Sequence, residues 1–314
     1  MGMNNISMRD AFFDELYEIA RKDKNVILLS ADMGAPSLDK FREELSSQYF
    51  NVGIAEQNMI NLATGLALEG KKVFVYAIMP FATMRCYEII KVNLSLMNIP
   101  VTVVGVGAGF GYDDSGPTHH ATEDLAAMRA LPNMNIVCPS DIVMTAKTAR
   151  MSCGMKTPNY IRLDREVLPV IYRSDAEFSD GLSVLRDGAD LSIVSTGNMV
   201  HIALEIADRL GNSLVAAGVI DLYRIKPINR ELLVKSLESV KRVVTLEEHV
   251  LDGGLGSAVL EVLADNGRTP LVKRFGIPNR YLYAYGGRRN IQSMCGLDPD
   301  SVSKTILEWI KSDD

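Results

Sequence analysis

The sequence predicts an α/β protein of two tandem domains, each built on a mostly parallel sheet. Short β-branched runs alternate with helical patterns along most of the chain. That alternation implies βαβ units. It breaks once, at the polar stretch Tyr172–Asp190, where Ser179-Asp180-Gly181 and Asp187-Gly188 are turn signals. A chain of 314 residues is the length of about two domains. The expected division is a first domain over 5–172, a linker over 173–189 and a second domain over 190–314.

In chain order, strands are expected at Val26–Ser30, Lys72–Ala77, Val101–Val106, Asn135–Pro139 and Tyr160–Leu163, each short and β-branched. Ala55–Leu68 reads as a helix because Met59, Ile60, Ala63 and Leu66/Ala67 share one face at i, i+3, i+4 spacing. Ala121–Ala130 and Asp141–Ser152 are further helices. Beyond the break, strands are expected at Leu191–Ser195, Leu214–Ile220, Arg242–Leu246 and Leu271–Phe275. The helices between and after them are Met199–Leu210, Arg230–Val240, Ser257–Asn266 and Asp300–Lys311.

Composition narrows the function classes. The apolar fraction of 47% and the charged fraction of 23% are those of an ordinary globular protein. The net charge is −6 and no Lys/Arg run stands out, which argues against nucleic-acid binding. No apolar stretch approaches the length of a membrane span. The N-terminus is charged and amphipathic and lacks a secretory apolar core. Cys86, Cys138, Cys153 and Cys295 form no C-x-x-C pair, so reduced thiols in a cytoplasmic protein are expected.

Three segments carry polar residues where chemistry is expected. In Asn51-Val52-Gly53-Ile54-Ala55-Glu56-Gln57, a glycine leads into a helix that opens on an acid. On its own, Glu56 is equally an acidic residue complementing the helix macrodipole. Asp113-Asp114-Ser115-Gly116-Pro117-Thr118-His119-His120 is a loop after the strand Val101–Val106 and holds two of the four histidines. Ligands of open α/β sheets bind beyond the carboxyl ends of strands, and histidine suits proton traffic near neutral pH. Glu247-Glu248-His249 followed by Gly253-Gly254-Leu255-Gly256-Ser257 has glycines but no P-loop lysine, and reads as a tight turn at a domain interface.

Taken together and in order, N-V-G-I-A-E-Q at 51–57 and G-P-T-H-H at 116–120 resemble the pyrimidine-binding domain of transketolases. Ala130-Leu131-Pro132-Asn133 and Pro139-Ser140-Asp141 fit the same pattern. Asp221, Lys226-Pro227, E-E-H and G-G-L-G-S resemble the transketolase C-terminal domain, so the similarity covers roughly 5–310. 1-Deoxyxylulose-5-phosphate synthases are almost as similar. The β subunits of 2-oxo-acid dehydrogenases share a split layout but lack G-P-T-H.

The resemblance implies thiamine diphosphate and Mg²⁺. It makes Glu56 the carboxyl that engages N1′ of the aminopyrimidine and Phe81 the ring stacked on the pyrimidine. Ile54 and Arg85 join the cofactor-binding set. His119 is implied as the histidine facing the reactive carbon, with His120, Asp114 and Arg165 binding substrate. An arginine fork suits a phosphate. No G-D-G occurs in the chain. The resemblance therefore implies that an N-terminal transketolase subunit carrying G-D-G and its asparagine binds the diphosphate and Mg²⁺, in an α₂β₂ heterotetramer. Ketol transfer between sugars or sugar phosphates is the implied reaction; pyruvate condensation and a non-catalytic regulatory role are the alternatives. Two positions depart from the sugar-phosphate pattern. Gly107 stands where a phosphate-binding histidine is found, and Ser115 where an aspartate reads a substrate hydroxyl, with Asp114 one residue earlier.

Overall fold

The structure is a computed structural model that describes residues 6–312. Its first sheet contains β1 (Val26–Ser30), β2 (Tyr49–Asn51), β3 (Lys72–Ile78), β4 (Val101–Val106), β5 (Asn135–Val137) and β6 (Asn159–Leu163). The second contains β7 (Ser183–Arg186), β8 (Leu191–Ser195), β9 (Ala217–Asp221), β11 (Arg242–Val250) and β12 (Leu271–Ile277). β10 (Arg224–Lys226) lies between them in sequence but joins the first sheet.

The orders are β10-β5-β6-β4-β3-β1-β2 and β12-β11-β8-β9-β7. Every pairing is parallel except the edges β10 on β5 and β7 on β9. β1, β4, β6, β8 and β9 are buried along their whole length. Helices covering both faces require such continuous apolar strands. The helix Glu56–Leu68 buries Met59, Ile60 and Ala63, as its spacing requires. Ile142–Ser152 begins where the Asp141 carboxylate accepts from Met144 N at 2.8 Å.

Several elements differ from the sequence expectation for local reasons. The amphipathic N-terminal segment forms the helix Met8–Ala20, which buries Phe12, Phe13 and Leu16. The strand expected from Leu214 starts at Ala217, because Leu214 sits exposed at φ +63°, in the turn closing the preceding helix. The stretch 173–189, read as a linker, is partly ordered into the second sheet as β7, and Phe178 and Leu182 are buried. An apolar cluster runs from Met59, Val75 and Val103 across to Val194, Ile220 and Leu255, so the two sheets share a continuous core. β10 adds a backbone tie in the same place, and Lys226 Nζ donates to the carbonyls of Arg129 and Leu131 at 2.7 and 2.6 Å.

Candidate active site

Across the first sheet the order β6-β4-β3-β1-β2 places four connections side by side at the carboxyl ends. Asp164-Arg165 follows β6, the loop 107–120 follows β4, Phe81 and Arg85 follow β3, and Gly53 to Glu56 follows β2. The crevice outside these ends is where an open α/β sheet binds ligands. Residues over a hundred positions apart thus become neighbours.

Glu56 opens its helix and is 4% exposed. The turn before it needs Gly53 at φ +72°, and Asn51 Oδ1 accepts from the Gly53 and Asp32 N–H groups at 3.0 Å each. The burial implied for this carboxyl is present, but the group is not alone. Arg85 Nη1 lies 2.8 Å from Glu56 Oε2, and Gln57 Nε2 donates to the Arg85 carbonyl at 3.0 Å. Arg85 also covers the Phe81 ring, 4.2 Å from its centroid. Phe81 is half-buried and meets His119 edge-on at 5.1 Å. Ile54 projects outward and is 77% exposed.

Gly116, at φ +73°, turns the loop so that its carbonyl accepts from both His119 N and His120 N, at 2.9 and 3.2 Å. The two histidines then part. His119 stays at the surface of the crevice, with Nδ1 2.9 Å from Thr118 Oγ1. His120 goes inside, edge-on to Phe110 at 5.1 Å, and its Nε2 has no hydrogen-bond partner among the described residues. Burial pushes its pKa down from the ordinary histidine value, against the pull of Glu248. Arg165 lies over the Tyr112 ring at 4.7 Å and reaches Asp114 Oδ1 at 3.7 Å. Tyr112 in turn stands 6.1 Å from His119. The crevice is therefore lined by one series of contacts: Glu56, Arg85, Phe81, His119, Tyr112, Arg165, Asp114.

A further set of residues holds this lining from behind. Arg288, 6% exposed, donates to Asp164 Oδ2 at 2.7 Å, to Glu248 Oε2 at 2.5 Å and to the Ala108 carbonyl at 3.0 Å. Glu248 also accepts from Phe110 N, Asn198 Nδ2 and Gln292 Nε2. The C-terminal domain is thereby bonded to the loop after β4 and to the residue preceding Arg165. Glu248 lies in the E-E-H motif of the sequence, whereas Arg288 and Tyr112 carry no local sequence signal. The other two members of that motif hold the domain interface. Glu247 caps the helix Leu255–Asp265, accepting from Leu255 N and Gly256 N at 2.6 and 2.8 Å. His249 accepts from Ala126 N through Nε2, which leaves Nδ1 to donate to the Val250 carbonyl.

Comparison with known proteins decides the family. The transketolase pyrimidine-binding domain model matches residues 4–170 and the transketolase C-terminal domain model matches 181–302. The chain belongs to the transketolase family. It is 37% identical over 99% of its length, and over the whole of the relative, to an apulose-4-phosphate transketolase subunit of Phocaeicola vulgatus. A transketolase C-terminal section from Methanocaldococcus jannaschii is 36% identical, covering 98% of this chain and 97% of that one. A solved split-gene transketolase, an inactive β4 tetramer, superposes with a TM-score of 0.88 at 34% identity, covering 97% and 98% of the two chains. Transketolases are thiamine-diphosphate-dependent ketol transferases, and these relatives are subunits, which implies a partner subunit here.

Among the described residues no group of three or more His, Cys, Asp or Glu side chains is disposed to hold a metal ion. None of the described helices is long and apolar enough to cross a membrane. Glu56 and Phe81 fit an aminopyrimidine: a buried carboxyl at a helix start beside a half-buried ring.

Proposed function

We propose that this chain is the C-terminal subunit of a split transketolase that moves a two-carbon ketol unit between sugar or sugar-phosphate substrates, in a cytoplasmic α₂β₂ complex. The observation that carries the reading is Glu56: a carboxyl 4% exposed at the mouth of the crevice, in line with Phe81, His119 and Arg165. An N-terminal subunit with G-D-G and its asparagine supplies the diphosphate and Mg²⁺ ligands. A partner of that kind is in keeping with the subunit-length relatives.

Thiamine diphosphate supplies the carbon nucleophile and electron sink when bound; the protein's work is to bind, orient and manage protons. Glu56 Oε shares a proton with the ring nitrogen of the pyrimidine, and low exposure strengthens that bond. Phe81 presents an apolar face to the same ring, with Ile54 beside it and Arg85 fixing both Glu56 and Phe81. The His119 Nδ1 is engaged by Thr118, so Nε2 is the atom placed to bind or move a substrate hydroxyl proton. Arg165 binds the anionic end of a substrate as a fork, with Asp114 at its side. His120, buried under the loop, acts on substrate only through the position of His119.

The test uses the complex captured from its own cells through a tag on this chain. Native mass spectrometry with thiamine diphosphate and Mg²⁺ is expected to show a second chain in equal number, with bound cofactor. Glu56→Gln and Glu56→Ala are expected to lower turnover by at least about a hundredfold, the scale of a lost proton-transfer group, without changing assembly. Near-parental turnover in both variants would sink this mechanism. A chain that emerges alone and cofactor-free would overturn the split assembly.

A further inference from the structure

Arg165 is held in the crevice by two contacts of different strength. Its ion pair with Asp114 spans 3.7 Å, with 44% of the Arg165 side chain and 71% of the Asp114 side chain exposed. Exposed pairs of this kind contribute little and are readily exchanged for another anion. The other contact is the Tyr112 ring, 4.7 Å below the guanidinium carbon. A flat cation over an aromatic face keeps its edge donors free for a ligand.

The ring itself is fixed. Gly107 adopts φ +94°, and a β-carbon there would fall inside the Tyr112 ring. A β-carbon on Gly111 would meet the Gly107 backbone at 2.8 Å, so the loop is folded tightly on itself around Tyr112. Phe13, Tyr76 and Val106 belong to the core cluster against which Tyr112 packs. The side chain absent at Gly107 is thus the space that Tyr112 fills. Burial pushes its phenol pKa up, so the ring carries no charge near neutral pH.

We propose that Tyr112 is a positioning residue that sets substrate specificity: seated on Gly107, it holds the Arg165 fork at a fixed height for the anionic group of a phosphorylated substrate, which displaces Asp114 and leaves the stack intact. The inference rests on the ketol-transfer reading above. Asp114 acts as the stand-in anion of the resting site. A substrate without an anionic end gains nothing from exchanging with it, so the device discriminates phosphorylated from unphosphorylated sugars.

The experiment compares Tyr112→Phe, which keeps the stack, with Tyr112→Leu, which fills the space over Gly107 without an aromatic face. Each is assayed in the complex isolated from its own cells, with hydroxypyruvate as ketol donor and either glyceraldehyde 3-phosphate or glyceraldehyde as acceptor. Tyr112→Leu is expected to raise KM for the phosphorylated acceptor about tenfold, a shift on the scale of a cation–π contact, with kcat unchanged. KM for glyceraldehyde stays as in the parent, and Tyr112→Phe behaves as the parent with both. An unchanged preference in Tyr112→Leu overturns the proposal, as does an equal loss in Tyr112→Phe, which would assign the effect to the hydroxyl. Exchange of the cofactor C2 proton is followed in parallel. It is expected to be the same in all three proteins, and its absence from the parent complex would count against the catalytic reading itself and not against Tyr112.

Discussion

Single side chains here are held by very small allowances of space. Gly109 sits at φ +56°, and a β-carbon on it would lie within the Glu248 carboxylate. Gly109→Ala therefore strains a left-handed backbone and drives Glu248 off Arg288 and Phe110 N. A cost of at least about 2 kcal/mol is expected, read as a lowered midpoint in urea with an unchanged m-value. If the variant is as stable as the parent, Glu248 is not fixed against this loop. The same tightness shows which residues the sequence could disclose. Glu56, Phe81, His119 and Arg165 were legible because each sits in a short motif next to a strand end. Arg288 was not, because its partners Asp164 and Glu248 lie 124 and 40 residues away and only the packing of two domains joins them. Arg85 was read as a cofactor-binding residue, and the structure adds its pairing with Glu56, which no local pattern announces.

At the scale of elements, strands were more legible than the pieces that tie them together. β1, β4 and β8 run over the residues expected, since continuous β-branched runs leave little choice. β7 and β10 were not foreseen: each is three or four residues long, and its pairing is decided by the neighbouring sheet rather than by its own sequence. The end of β9 shows how such ties work. Asp221 is fully buried, and its Oδ2 accepts from Ser140 Oγ at 2.6 Å and from Tyr172 Oη at 2.9 Å, which joins both sheets and the start of the segment between them. Its Oδ1 has no partner among the described residues. Burial raises the pKa to about 7 from 3.8, against the two hydroxyl donors. The folded state thus keeps a proton that the unfolded chain releases. This contribution to stability is complete below 3.8 and is lost as pH rises through about 7. Asp221→Asn keeps an acceptor for both hydroxyls and removes the titration. The variant is therefore expected to gain on the parent as pH rises from about 5 to about 8, measured as the difference in their melting temperatures at each pH. A difference that does not move with pH would show that Asp221 titrates alike folded and unfolded.

The whole molecule presents one face that its own core does not use. The helix Glu56–Leu68 and the helical segment 84–96 lie side by side, with Asn93 Nδ2 donating to Asn61 Oδ1 at 2.8 Å. Around this line Ile54, Leu62, Met84, Val92, Leu96 and Met97 are exposed. A monomeric surface seldom gathers so many large apolar side chains, and contiguous ones mark contact with another chain. The face begins at Ile54, beside Glu56, so whatever covers it also closes the crevice over the carboxyl. That placement argues for the partner subunit as the occupant in the active complex. A second copy of this chain is the competing occupant when the partner is missing; the β4 tetramer of the split-gene relative is inactive. Leu62→Asp together with Leu96→Asp tests this. Both side chains are exposed, Leu96 by 76%, so the isolated chain should lose no more than about 0.5 kcal/mol per site. Two unpaired carboxylates buried in an apolar contact would cost far more. The expected outcome is an unchanged melting temperature for the isolated chain and loss of the partner in native mass spectrometry, with turnover falling in proportion to the complex lost. Retention of partner and turnover would show that this face stays open to solvent in the working enzyme, and the crevice would then have to be closed from the side of the loop after β4.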